Sequence, residues 1–382
     1  MDERRDPAEP APLHVTRPYL PPLASFLPYL EDIWQSAQLT NGAAFHRRFE
    51  QALAGYLDVE HVSLVANGTL ALLTAIKALD LGGEIITTPF SFVATAHALL
   101  WNGVTPVFAD IDPLTLNLDP AAVAAAVSAR TSAILPVHVF GRPCDTSAIA
   151  SIADAHGLRV LYDAAHAFGV RANEGNLLRA GDLSALSFHA TKVFHTFEGG
   201  AVVCSDPAIK RNIDYLRNFG FQDETSVLTL GINAKLNEVQ SAFGLLHLEH
   251  IDEVIAARQA IDSHFRFLLR DVEGIRCLEL PQAASSNFGY FPILVDDAFA
   301  QSRDALYSAL RSSGIFARRY FFPLISDFPM YRHLPSADPA RLPVAREVAS
   351  RILCLPIHTD MTPADCERVA AAVRACGQGC AR

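Results

Sequence analysis

The sequence carries no excess of positive charge: 31 lysine and arginine residues stand against 41 acidic ones among 382 residues, a net charge of −10. That balance speaks against a nucleic-acid binder or a protein held on an anionic membrane, while leaving room for a local basic pocket. Cysteine is sparse and scattered. Cys144, Cys204, Cys277, Cys354, Cys366, Cys376 and Cys380 form no CxxC or Cys/His spacing, so neither a metal site nor a disulfide framework is expected, and the compartment reads as reducing. The most apolar stretches, such as Ala133 to Gly141, fall short of the ~18–20 residues that a spanning helix needs. The opening residues MDERRDPAEP are charged and proline-bearing with no apolar run behind them, which reads as a mobile tail and not a signal peptide. A cytoplasmic protein is the expectation. No GxGxxG follows the first strand and no GxxxxGK[ST] occurs, so the phosphate loops of ordinary dinucleotide and nucleoside-triphosphate sites are missing.

What is present is a large apolar share, half of all residues, in a chain longer than the roughly 250–300 residues at which single cores stop growing. A large domain with a smaller companion follows. Short β-rich runs alternate with alanine-rich helical stretches between Val62 and Val203, which predicts an α/β domain on a mostly parallel sheet. The strands are read at 62–66, 84–89, 105–110, 133–138, 159–165, 183–189 and 201–206. Helices fall at 68–81, 119–128 and 145–157, with Asp119 and Asp145 as N-caps and Gly157 as a C-terminal stop. Apolar residues at three- and four-residue steps predict one long helix from Asn233 to about Arg270, linking to an α+β lobe. The division expected is a tail over 1–14, a large domain over 15–245, and a linking helix with a small C-terminal domain over 246–382.

Chemistry is concentrated at strand ends. Asn67-Gly68-Thr69 joins a strand to a helix, where glycine lets the backbone approach a ligand and the helix N-terminus favours an anion; from these residues alone a plain turn with a threonine cap is the commoner reading. Asp163 ends an apolar strand, where open α/β sheets bind ligands, or caps the next element. Ser187, His189 and Lys192 end another strand, and a lysine in a protected cleft can serve as a Schiff-base amine, though a lone lysine is more often a solvated charge.

Taken in order, NGT (67–69), TPFSFVAT (88–95), YDAAHAFG (162–169), SFHATKVFHTFEGG (187–200) and GINAKLNEVQSAFG (231–244) resemble the DegT/DnrJ/EryC1/StrS family of pyridoxal-phosphate-dependent sugar aminotransferases. The likeness extends from Leu39-Thr40-Asn41-Gly42 to ILCLPIHTDMT at 352–362. It implies a three-layer α/β/α large domain of fold type I and a smaller α+β domain. It also implies that Lys192 carries pyridoxal 5'-phosphate and later moves the proton between the amine-bearing carbon and the cofactor. Asp163 would hold the ring nitrogen, Phe92 would stack on the ring and His166 would lie near it. Gly68, Thr69 and Ser187 would take the phosphate, and Asn233 would reach it from a second subunit, making a homodimer with shared sites.

Family members with histidine at the lysine position are dehydratases, so Lys192 favours transamination, with L-glutamate as donor and a nucleotide-linked ketosugar as acceptor. HATKVFHTFEGG is more similar to enzymes forming dTDP-4-amino-4,6-dideoxyglucose than to those acting at C3, which remains the alternative, along with a non-catalytic homologue. His189, His195, Arg318 and Tyr320 are the candidate substrate contacts.

Overall fold

The computed structural model describes residues 11–172, 176–280 and 284–378. Twelve strands occur among them: β1 (Leu13–His14), β2 (His61–Val65), β3 (Glu84–Thr87), β4 (Thr105–Phe108), β5 (Thr131–Leu135), β6 (Arg159–Asp163), β7 (Leu183–Ser187), β8 (Gly200–Cys204), β9 (Ile275–Cys277), β10 (Phe291–Val295), β11 (Ile315–Phe316) and β12 (Ile352–Leu355). The seven strands read between Val62 and Asp206 are all present, their ends displaced by up to three residues. They form one sheet in the order β2-β8-β7-β6-β5-β3-β4. Only β8 runs against its neighbours, and because it is antiparallel to both β2 and β7, those two point the same way. The carboxyl ends of β2, β3, β6 and β7 therefore share one edge.

Alternating residues of each strand serve opposite faces, as a period of two requires. Ile85, Leu135, Leu161 and Ala185 pack with Leu72, Ala75 and Ile76 of the helix Gly68–Ala78. Ile86, Ile134, Val160 and Tyr162 pack on the other side with Val123, Ile149 and Ala153 of the helices Pro120–Ala126 and Thr146–His156. Both faces being covered, the strands read as continuous apolar runs, and the result is a three-layer α/β/α arrangement. Asp119 and Asp145 accept from the backbone as caps, and Gly157 closes its helix at φ 63°.

The long helix expected from Asn233 is instead two helices, Glu238–Leu248 and Ile251–Leu269, separated at Glu249 and His250. The first starts late because the backbone before it is committed elsewhere. Asn233 bridges Asn218, the Ala234 N–H donates to Arg217, and the Ala234 carbonyl accepts from Ala66. Asn237 is the cap, its side chain accepting from the Gln240 N–H at 2.9 Å. A boundary at 245/246 thus falls inside a helix. Of the tail expected over 1–14, residues 1–10 lie outside the described residues, and its end needs correction: Leu13 and His14 form β1, parallel to β11, and Val15 accepts from the Ile357 N–H, so Leu13–Val15 is tied to the C-terminal part of the chain. That part has a three-stranded antiparallel sheet, β12-β10-β9, packed through Phe291, Ile293 and Leu353 onto Phe265, Leu306, Val369 and Val373.

Candidate active site

Strands β2, β6 and β7 end around a cavity of about 460 Å³. Gly68 opens the helix after β2, with Asn67 as its cap accepting from Leu70 at 2.9 Å. A Cβ on Gly68 would stand 2.7 Å from Cβ of Ser187, so only glycine lets this helix start lie against the end of β7. Gly68, exposed Thr69 and Ser187 then form one wall, with the positive end of a helix directed into it.

Asp163 closes β6 and is 4 % exposed. Its carboxylate accepts from Thr95 Oγ1 at 2.8 Å and from the Ala165 N–H at 3.1 Å. Burial raises its pKa, opposed by those two hydrogen bonds and by Lys192. A buried carboxylate of this kind is stabilised by a cation brought into the cavity. Thr95 is itself held by Ser91, hydroxyl to hydroxyl at 2.9 Å.

Lys192 follows β7 in a turn and reaches the same cavity, half-buried. Burial brings its pKa down to about 8, against the pull of Asp163, so the neutral, nucleophilic form rises to about a tenth of the amine at pH 7, far above the share in an ordinary lysine. Nζ lies 3.2 Å from the hydroxyl of Tyr290. His166 is buried, accepts from the Phe140 N–H through Nδ1 at 3.2 Å, and has its pKa driven well down, first by burial and then by Lys192 and His138. The ring is thus neutral with its proton on Nε2.

Phe92 is 59 % exposed and borders the cavity, which removes ordinary core packing as an explanation of it. His189 and Tyr320 border the cavity as well; His189 is steered by Thr191 at 2.7 Å and faces Glu198 at 3.5 Å. Three expected residues are elsewhere. His195 is 1 % exposed, bonds through Nε2 to the Tyr19 carbonyl at 2.8 Å and pairs with His247, so it is a packing residue and not a substrate contact. Arg318 is exposed, does not line the cavity, and pairs its backbone with Cys354 beside β12. Asn233 is exposed outside the cavity of its own chain.

Thr95, Tyr290 and Glu198 also line the cavity and are not among the residues expected from the sequence. Thr95 is the last residue of the motif TPFSFVAT. Tyr290 joins the site from 98 positions beyond Lys192, and no local pattern marks it. Among the described residues, no group of three or more potential metal ligands occurs and no helix is long and apolar enough to cross a membrane.

Comparison with known proteins agrees with this geometry. The chain is 51% identical to a dTDP-4-amino-4,6-dideoxy-D-glucose transaminase of Shigella dysenteriae, covering 95% of this chain and 98% of the relative. An Escherichia coli protein of the same description is 49% identical over 91% of this chain and 94% of its own length. A solved structure of DesI with its TDP-sugar product superposes at a TM-score of 0.93, with 39% identity, 97% of this chain and 94% of that one covered. The family model described as the DegT/DnrJ/EryC1/StrS aminotransferase family matches residues 24–374. With Gly68, Asp163, Ser187 and Lys192 lining one cavity, and with that match across the chain, the protein belongs to the DegT/DnrJ/EryC1/StrS aminotransferase family and is a pyridoxal-phosphate-dependent transaminase.

Proposed function

We propose that the protein transfers the amino group of L-glutamate to C4 of a dTDP-linked 4-keto-6-deoxyhexose, giving dTDP-4-amino-4,6-dideoxyglucose. The observation that carries this reading is the opposition of Lys192 and Asp163 across one cavity, in a chain 51% identical to a transaminase named for that sugar.

The residues fit pyridoxal phosphate. The space left by the missing Cβ of Gly68 brings backbone N–H groups and the Ser187 hydroxyl together for its phosphate. Asp163 would pair with the protonated ring nitrogen, which supplies the cation that the buried carboxylate lacks. Phe92 presents an exposed ring for stacking, and His166 offers a neutral N–H donor at the ring edge. When bound, the cofactor supplies the electron sink that makes the C–H bond beside the amine breakable. Lys192 would hold it covalently and, once free, would take up and return the proton in each half-reaction. Tyr320 and the His189–Glu198 pair border the same cavity and would be the contacts for the sugar acceptor.

Two chains would complete each site. Asn233 lies next to a run of exposed apolar side chains, including Phe219, Leu228, Leu230 at 84 % and Ile232. Apolar surface on that scale suits a subunit contact, which would carry Asn233 to the partner's phosphate wall.

The test is product analysis. Incubation with glutamate and dTDP-4-keto-6-deoxyglucose should give a 4-amino sugar by NMR; amination only of a 3-keto isomer would defeat the assignment to C4. Lys192→Ala should lower amino transfer by about a thousandfold or more. Borohydride should fix the cofactor to Lys192, as peptide mass analysis would read. Full activity in that variant would leave the site without its central group.

A further inference from the structure

Lys192 has four rotatable side-chain bonds, and an amine released from its cofactor must still be held toward the reacting carbon. The residue that meets it is Tyr290, just before β10, whose hydroxyl oxygen is 3.2 Å from Nζ. The phenol ring is fixed from several sides. His166 meets it edge-on at 4.9 Å, Phe140 at 5.2 Å and Tyr320 at 6.0 Å. The ring is therefore confined, and the hydroxyl keeps only its O–H torsion. Burial drives the phenol pKa well above its ordinary value, so the proton stays on oxygen.

A neutral hydroxyl is suited to an amine that changes charge, because it both accepts and donates. It accepts an N–H from the ammonium and donates its O–H to the lone pair of the neutral amine, without moving the ring. Asp163 cannot act in the same way: its oxygens already accept from Thr95 and Ala165, and an ionised carboxylate only accepts. We propose that Tyr290 is the positioning residue of Lys192, holding the free ε-amine in both its protonation states so that it stays aligned through each half-reaction. This rests on the reading of Lys192 as the reacting amine.

Tyr290→Phe removes one oxygen and keeps the ring. In the holoenzyme the glutamate half-reaction should slow by about 10- to 100-fold, the scale of a misplaced reacting group, while KM for glutamate changes little. The kinetic isotope effect with [2-²H]glutamate should rise, because proton transfer becomes more nearly rate-limiting. A second readout needs no turnover. In the full chain stripped of cofactor, acetic anhydride should label Lys192 several-fold faster in Tyr290→Phe than in the wild type above pH 9, relative to Lys77, since the lone pair is no longer engaged. An unchanged isotope effect or unchanged labelling overturns the proposal. If Tyr290→Phe does not fold, 3-fluorotyrosine at position 290 keeps the ring and alters the acidity of the hydroxyl. It should shift the isotope effect, and no shift counts against the assignment. Lys192→Ala separates the two failures: amino transfer surviving in that variant defeats the reading of the site, whereas its loss beside an unaffected Tyr290→Phe defeats this inference alone.

Discussion

Asp163 is a buried carboxylate with two hydrogen bonds, and its charge depends on both. Removing the Thr95 hydroxyl with Thr95→Val leaves a similar shape but takes away the donor at 2.8 Å. The loss of a hydrogen bond to a charged group costs about 1.5–3 kcal/mol, so the variant should bind pyridoxal phosphate about tenfold or more weakly, read by titration of the visible band. Lys192 gives a pH prediction with a definite sign. Its folded pKa of about 8 lies below the ordinary 10.5, so between those values the unfolded chain holds a proton that the folded chain has lost. Stability of the cofactor-free protein therefore rises with pH across that window, and the rate of cofactor attachment rises up to about 8 and levels off. A plateau appearing only near 10.5 would mean that burial does not tune this amine. Lys192 and Asp163 could be picked out in the sequence because Asp163 ends a strand and Lys192 closely follows one, both within an ordered series of motifs. Tyr290 was not, since a tyrosine in a short apolar run looks like core until the fold brings it to the amine. His195 misled for the opposite reason: proximity to Lys192 in sequence says nothing about direction, and its ring turns inward to the Tyr19 carbonyl.

At the scale of elements, the sheet was legible because seven apolar runs separated by helices admit few arrangements, and capping residues fixed the helix starts. The break in the expected long helix was hidden, because pairing of Asn233 and Ala234 with distant backbone overrides an otherwise helical pattern. The contact between the helix Gly68–Ala78 and β7 can be tested directly. Gly68→Ala places a methyl 2.7 Å from Cβ of Ser187, where the neighbour is anchored at the end of a strand. Overpacking of this kind costs about 1–3 kcal/mol, which should appear as a lower melting temperature and weaker cofactor binding together. Another tie joins the helix Ala44–Leu57 to β2: Glu50 accepts from the Leu64 N–H at 3.0 Å and from Arg217 at 2.6 Å. Burial would raise the Glu50 pKa, but His46, Arg217 and Lys210 outweigh it and hold it well below the ordinary 4.5. The carboxylate's contribution is therefore full above pH 4.5 and is lost as pH falls below it. Glu50→Gln should lower stability by about 3 kcal/mol at neutral pH and flatten the acid limb of the melting curve; an acid limb identical to the wild type would remove this group from the account.

The whole molecule places Lys192 on one wall of a cavity while Asn233, from the motif GINAKLNEVQSAFG, stays outside that cavity on an exposed apolar surface. If two chains share their sites as proposed, each cavity takes Lys192 from one subunit and Asn233 from the other, and the two functions can be separated onto different chains. Lys192→Ala and Asn233→Ala proteins should each be weak alone. Mixed and allowed to exchange subunits, they form hybrid dimers in which one site carries both defects and the other carries neither. Random exchange makes half of the dimers hybrids, so about a quarter of all sites recover, and activity should return toward about a quarter of the wild-type value. Recovery should follow the rate of subunit exchange and vanish when the chains are cross-linked before mixing. If Asn233 acted only within its own chain, no mixture would exceed the mean of its parents. The same measurement then reports on subunit sharing without any dependence on which sugar is used.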